Sequence, residues 1–264
     1  MKHQGFTLVE MLVTVAIIAA LSAIGVASYT ALRTKAAMTT EIHGARQLMI
    51  AFHQYANENH NRVLPGYLED PDAVNLDGEP LHFPINARYP WRLAPYAPKL
   101  KKVFVYNGNQ KMLEQSNRDY LVSVRPNLGM NAVLVGGHFG SGSPLRPSPR
   151  LIEAIGKFHV THMSEVHDPS KLVVFASARH ENGKPGNFEV RPPKLPRSRW
   201  ASGPIDSESP AMDTGFVDFR WGGRAVVAMM GGNIEVLTPD ELRDMRRWSN
   251  QAAIANDPDF SFGR

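Results

Sequence analysis

Between Met11 and Leu32 lie 22 consecutive residues without a formal charge, directly after a single acid, Glu10. At about 1.5 Å per helical residue, such a run matches the roughly 30 Å hydrocarbon core of a bilayer. A chain built this way begins with a membrane-length helix. A conventional secretory signal shares the basic start and apolar core but is cut after small residues. Ala27 to Ser28 offer such a site, so that reading stays open. A carboxylate inside a membrane-length segment costs about 2.5–3.5 kcal/mol at mid-bilayer, so Glu10 needs a partner. Lys2 and the amino terminus favour a cytoplasmic start, and Arg33 and Lys35 oppose that bias from the far side.

The periodicity continues past this run. Ile42, Ala45, Met49, Phe52 and Ala56 recur at steps of three and four, joined by Leu48 and Tyr55. They draw one apolar stripe on an otherwise polar helix, a face made to pack. Asn57, Asn59, Asn61 and Pro65-Gly66 supply stop signals, so one helix is expected from about Phe6 to about Asn59. Beyond it, short apolar runs between Gly, Pro and Asn predict strands at Val103 to Tyr106, Tyr120 to Val124, Leu172 to Ala176, Ala225 to Met230 and Ile234 to Leu237. Gly231-Gly232-Asn233 predicts a hairpin between the last two. Thr238-Pro239-Asp240-Glu241 reads as a capping box opening a terminal helix to about Ala253, with Leu242, Met245 and Trp248 buried. Gly136 to Arg150 and Gly183 to Pro204 read as surface loops, the first mobile.

The string Gly5-Phe6-Thr7-Leu8-Val9-Glu10-Met11-Leu12 resembles the type III signal of type IV pilins and type II secretion pseudopilins. The resemblance implies a prepilin peptidase cut between Gly5 and Phe6 and methylation of the Phe6 amine. It also implies that Glu10 faces the Phe6 amine of a neighbouring subunit, two groups costly in lipid neutralising each other on assembly. Pilins often place a proline where this chain has Ala27, after Gly25, which leaves a kink or melting of the helix there open.

The remainder carries a weaker resemblance to pilin-like proteins with long heads, in Tyr89 to Tyr96, Asn127 to Asn131, Asp168 to Lys171 and Arg220 to Met245. Such heads often end in a hairpin with a histidine and an Asp-Gly-His turn. This chain has Arg220-Trp221 and Gly231-Gly232-Asn233 instead.

Several segments concentrate reactive side chains. Asp70, Asp72, Asn75, Asp77 and Glu79 gather oxygen ligands suited to calcium, without the EF-hand spacing, and the alternative is a solvated turn. His159, His162 and His167, with Glu165 between them, suggest zinc. The alternation of Phe158, Val160 and His162 instead suggests a strand that would split His159 from His162. Gly140-Ser141-Gly142-Ser143 lacks the order of a nucleophile elbow, and no phosphate-cradling loop is present. Basic and aromatic residues interleave in Arg88 to Arg92, Lys99 to Tyr106 and Arg197 to Trp200, as nucleic-acid surfaces do. The alternative is that the rings pack inward while the cations are solvated. The net charge of +4 permits an acidic partner without demanding one, and with no cysteine there is no disulfide framework.

The expectation is an α+β, pilin-like chain: a long N-terminal helix, half membrane and half amphipathic, packed on a head with an antiparallel sheet. Its parts are a leader at 1–5, a membrane or filament-core segment at 6–33, and a head at 34–264. The resemblance implies a non-enzymatic filament subunit, and the large head a minor or specialised one; no cofactor is expected unless calcium binds at Asp70 to Glu79. Its implied partners are prepilin peptidase, other pilin or pseudopilin subunits, inner-membrane assembly machinery and, before assembly, membrane lipid. Its implied place is the inner membrane, single-pass, with the head on the far side. The rivals are a DNA-binding pilin for uptake and a membrane-anchored exported protein that never polymerises.

Overall fold

The computed structural model describes residues 7–97, 103–196, 198–206 and 208–263, and gives no side-chain account of 24–27. It divides into two compact units, Met1–Thr39 and Thr40–Arg264. Helix α1 spans Leu8–Glu58, and its backbone stays helical through Gly25 and Ala27. Its end is built from the Asn-rich segment the sequence marks. His60 and Asn61 take positive φ, the Asn61 N–H donates to the Ala56 carbonyl at 2.8 Å, and Asn59 Nδ2 donates to the Tyr55 carbonyl at 2.8 Å. Carbonyls left open at a helix end are thereby satisfied.

The second unit is built on a four-stranded antiparallel sheet in the order β1, β2, β5, β6. Its strands are β1 (Leu128–Met130), β2 (Val173–Ser177), β5 (Ala225–Met229) and β6 (Ile234–Leu237). A two-stranded ribbon of β3 (Lys194–Leu195) and β4 (Ser198–Arg199) lies apart from it. The register sets Phe175 opposite Ala228 and Ala176 opposite Val227, so β2 and β5 have two distinct faces. On one, Phe52 meets Phe175 edge-on at 5.8 Å and His53 Nε2 lies 2.8 Å from the Met230 carbonyl. On the other, Ala176, Ala225, Val227 and Met229 join Leu242, Met245 and Trp248. Burial on both faces explains why β2 and β5 read as unbroken apolar runs.

The stripe of α1 lands as its spacing predicts: Ala45, Leu48, Met49, Phe52 and Ala56 are buried, with Ile42 and Tyr55 at its margins. Within the same face sits a carboxylate that the periodicity did not mark. Glu41 is fully buried, its Oε1 accepting the Ser177 hydroxyl and the Trp221 indole N–H, the latter at 3.0 Å. Arg220 Nη1 lies 3.8 Å from Oε2 and its Nε 3.1 Å from Asp218. Arg220 and Trp221, where the resembling heads carry histidine, thus hold α1 against β2.

Three sequence expectations are corrected. Val103 to Tyr106 is buried but not a strand, because Asn127, distant in sequence, takes its backbone bonds in place of a ladder: Tyr106 N–H donates to Asn127 Oδ1 at 3.1 Å and Asn127 N–H to the Phe104 carbonyl at 2.8 Å. Tyr120 to Val124 lies in a helix, Arg118–Val124, whose adjacent residues Val122 and Ser123 are both buried, a pattern no half-exposed strand gives. The terminal helix is broken into Pro239–Leu242 and Asn250–Ala255 around a 3-10 turn at Met245–Arg247, because Asp244 and Ser249 each open a new cap. The capping box of Thr238 and Glu241 forms, and Leu242, Met245 and Trp248 are buried as expected.

The Gly136–Arg150 segment is also more fixed than its composition suggests. Gly136, Gly137, His138 and Leu145 are buried. Gly136 has φ +77°, and a Cβ there would stand 2.0 Å from the Leu64 carbonyl oxygen, so only glycine fits.

Truncating Phe52 to alanine is expected to cost about 3–5 kcal/mol in equilibrium denaturation of the chain in mild detergent. Ile50→Ala, on the exposed face of the same helix, should stay within about 0.5 kcal/mol of wild type. An equal effect at both positions would show that the stripe does not set the packing.

Candidate functional site

The first described residues of α1 close a capping box. Thr7 donates its backbone N–H and its hydroxyl to Glu10 Oε2, at 2.8 and 2.7 Å, and the Glu10 N–H donates to Thr7 Oγ1 at 3.3 Å. Two open N–H groups of the helix start are satisfied, and the one acid of the apolar run gains neutral donors within its own chain. Both bonds that the carboxylate accepts fall on Oε2; among the described residues Oε1 accepts none. The signal was present in the sequence, since Thr7-Leu8-Val9-Glu10 has the Thr-x-x-Glu pattern of a capping box. Gly5 and Phe6, the implied cleavage and methylation residues, lie outside the described residues. From Leu8 to Leu32 the large apolar side chains described are exposed, and the helix is long and apolar enough to cross a membrane.

In the head, the oxygen-rich loop is organised around Asn75. Its Oδ1 accepts the N–H groups of Asp77 and Glu79 at 3.0 and 2.9 Å. That fixes the amide, so Nδ2 faces Glu79 and Asp119 at 3.2 and 3.0 Å and presents a donor to them. Arg118 pairs with Asp77, Arg92 Nε stands 3.6 Å from Asp70, and Asp72 only closes a turn on Asp70. Among the described residues no group of three or more His, Asp or Glu side chains is arranged to hold a metal ion.

The histidines are separated by their surroundings. His159 is buried against Phe158, at 5.0 Å between ring centroids, and burial lowers its pKa. Where a strand over Phe158 to His162 was expected, Val160 and His162 each form a single bridge, to Val135 and Arg62; His162 then precedes a 3-10 turn at Met163–Glu165, and its Nδ1 lies 3.3 Å from Glu165 Oε1. The exposed His167 donates its backbone N–H to Asn250 Oδ1 at 2.7 Å. Glu165 holds this turn together. It accepts from Lys157 Nζ at 2.5 Å and from the Thr161 N–H at 2.8 Å. Desolvation pushes its pKa up, but the Lys157 ammonium and the Thr161 donors outweigh that and hold it at about 2.

Of the interleaved aromatic and basic residues, Tyr89, Trp91, Arg92, Phe104 and Tyr106 are buried, and Trp91 Nε1 donates to the Asp119 carbonyl at 2.8 Å. These rings belong to the core and cannot stack on bases. Trp200 is likewise buried and donates to the Arg191 carbonyl at 2.9 Å. Lys99, Lys101, Lys102 and Arg197 lie outside the described residues.

The Glu165 cluster has a signed pH consequence. A folded-state pKa depressed from 4.5 to about 2 gives stability that is present above the unfolded value and lost as pH falls toward 2. Glu165→Gln is therefore expected to lower stability at pH 7 by about 1 kcal/mol, the scale of a partly exposed ion pair. Urea midpoints compared at pH 7, 4 and 2 should show the gap closing at the lowest pH; a gap that persists there would show that the pairing does not carry it.

Residues 1–26 match the family model for the prokaryotic N-terminal methylation motif. No curated protein and no solved structure matches the chain. The chain carries the prepilin-type signature of type IV pilins and pseudopilins, on a long helix followed by an α+β head.

Proposed function

We propose that this chain is a non-enzymatic subunit, minor or specialised, of a type IV pilus-like filament or a type II secretion pseudopilus. Prepilin peptidase cuts it after Gly5 and methylates Phe6. It waits in the inner membrane as a single-pass protein with the head on the far side, then enters the filament through assembly machinery and neighbouring subunits. The observation that carries this reading is Glu10: one acid, five residues after Gly5, in a run that is otherwise apolar for a membrane's thickness. The capping box supports it further. Oε2 is occupied by donors of its own chain, which lowers the cost of holding the acid in lipid, while Oε1 accepts no donor among the described residues. The methylated amine of a neighbour's Phe6 is the cation that would meet it on assembly.

The test scores insertion, cleavage and incorporation separately in the same cells. Glu10→Leu is expected to insert at least as well as wild type, because a desolvation cost of about 2.5–3.5 kcal/mol is removed. It should still be cut after Gly5, and it should fail to enter filaments, because a neighbour's amine is left unpaired in an apolar core. Glu10→Asp, which keeps the charge and shortens the reach, should be intermediate. Normal incorporation of Glu10→Leu beside native neighbours would remove the assembly role.

A further inference from the structure

The glycine-rich segment that follows Gly136 is fastened at one histidine. His138 is buried, and its ring stacks on Tyr67 with centroids 4.5 Å apart and planes 5° from parallel. Backbone bonds flank the pair: the Tyr67 N–H donates to the Gly137 carbonyl at 3.2 Å, and the Phe139 N–H to the Tyr67 carbonyl at 2.9 Å. Gly140 then closes on the stack so tightly that a Cβ would lie 2.8 Å from Tyr67 Cε1 and 2.9 Å from His138 Cε1. Its N–H donates to His138 Nδ1 at 3.2 Å.

That last bond sets the protonation state of the ring. A ring nitrogen that accepts an N–H carries no hydrogen of its own, so the imidazole is neutral and its proton sits on Nε2. Nε2 faces Glu189 Oε2 at 3.7 Å, beyond hydrogen-bond reach. A second proton must go to Nδ1, which turns the acceptor into a donor aimed at another donor, the Gly140 N–H. The imidazolium therefore cannot keep the bond that holds the segment.

The surroundings do not offset that loss. Glu189 is buried, but its Oε1 already accepts Arg191 Nη2 at 2.5 Å, so the carboxylate reaches the ring partly neutralised. The Arg88 guanidinium, 5.2 Å from the centre of the Phe188 ring, acts on Tyr67 and Glu189, and His159 lies across Gly137 with its ring edge-on to Phe139 at 6.1 Å. Burial pushes the His138 pKa down, Glu189 pulls it up and Arg191 pushes it down again, which leaves it below the ordinary histidine value.

We propose that residues 137–145 form an acid-released strap, fastened by the neutral His138 ring and let go when that ring takes its second proton. Release gives the segment the mobility its composition suggests and uncovers the Tyr67 ring. The sign follows from the lowered value: the closed strap is favoured above the ordinary histidine value and loses ground as pH falls through the folded one. The switch goes beyond the filament role and does not rest on it.

The test is hydrogen–deuterium exchange of the full chain in mild detergent at pH 7.5 and pH 5, with each rate divided by the intrinsic rate at that pH. Protection across 137–145 is expected to fall several-fold at pH 5, to a limit of about thirtyfold set by the ordinary histidine value of about 6.5. Peptides across β2 (Val173–Ser177) should keep their protection. His138→Gln, whose amide stays uncharged, should hold nearly the same protection at both pH values, with β2 reporting that the variant keeps the fold. In the wild type, exchange of the His138 ring C–H should give a titration midpoint below about 6.5. Unchanged protection of 137–145 at pH 5, an equal loss in β2, a His138→Gln chain that keeps the wild-type response, or a His138 midpoint at or above about 6.5 would each overturn the proposal.

Discussion

The head depends on keeping one face of a helix dry while a carboxylate sits inside it. The stripe from Ala45 to Ala56 buries small and large apolar side chains against β2 and β5, with Phe52 on Phe175 at its centre. An apolar stripe alone fixes which side of a helix faces a sheet but tolerates sliding along it. Glu41 removes that freedom, because a buried carboxylate is costly away from its partners: Oε1 accepts from Ser177 and Trp221, Oε2 faces the Arg220 guanidinium at 3.8 Å without a hydrogen bond, and the three partners stand at one register only. The sheet order follows, since Ser177 ends β2 and Arg220 and Trp221 lead into β5.

A second acid poses the opposite problem in the first unit. Glu10 lies among exposed apolar side chains, and its only partners in the described chain are the neutral donors of Thr7. Glu41 is held by partners distant in sequence and so specifies a fold. Glu10 is satisfied only in part and by its near neighbour, which leaves it able to specify an assembly.

Periodicity revealed what periodicity can reveal: the helix bounds, the buried stripe, the last two strands with their Gly-Gly-Asn turn, and the Thr238 cap. It failed where burial was decided by distant residues. Val103 to Tyr106 has strand composition, but Asn127 supplies its hydrogen bonds; Tyr120 to Val124 has strand-forming residues, but it lies in a helix that begins at Arg118 and buries Val122 and Ser123 together. Glu41 was invisible for the same reason, since an acid in a helix says nothing of Ser177, 136 residues away. In the acidic loop, Asn75 and Arg118 sit among the carboxylates, an arrangement that spacing alone does not disclose. The Thr7–Glu10 box is different: its pattern was legible and lay hidden behind the stronger membrane signal.

We propose a prepilin-type substrate in which Glu10 is placed by its distance from the cut after Gly5. Intact-mass and N-terminal peptide spectrometry of the chain, recovered from cells with and without prepilin peptidase, tests it most directly. With the enzyme, the chain is expected to begin at Phe6 and carry one added methyl group on its amine; without it, residues 1–5 should remain. A cut near Ser28, or an intact leader in cells that process other prepilins, would contradict the account.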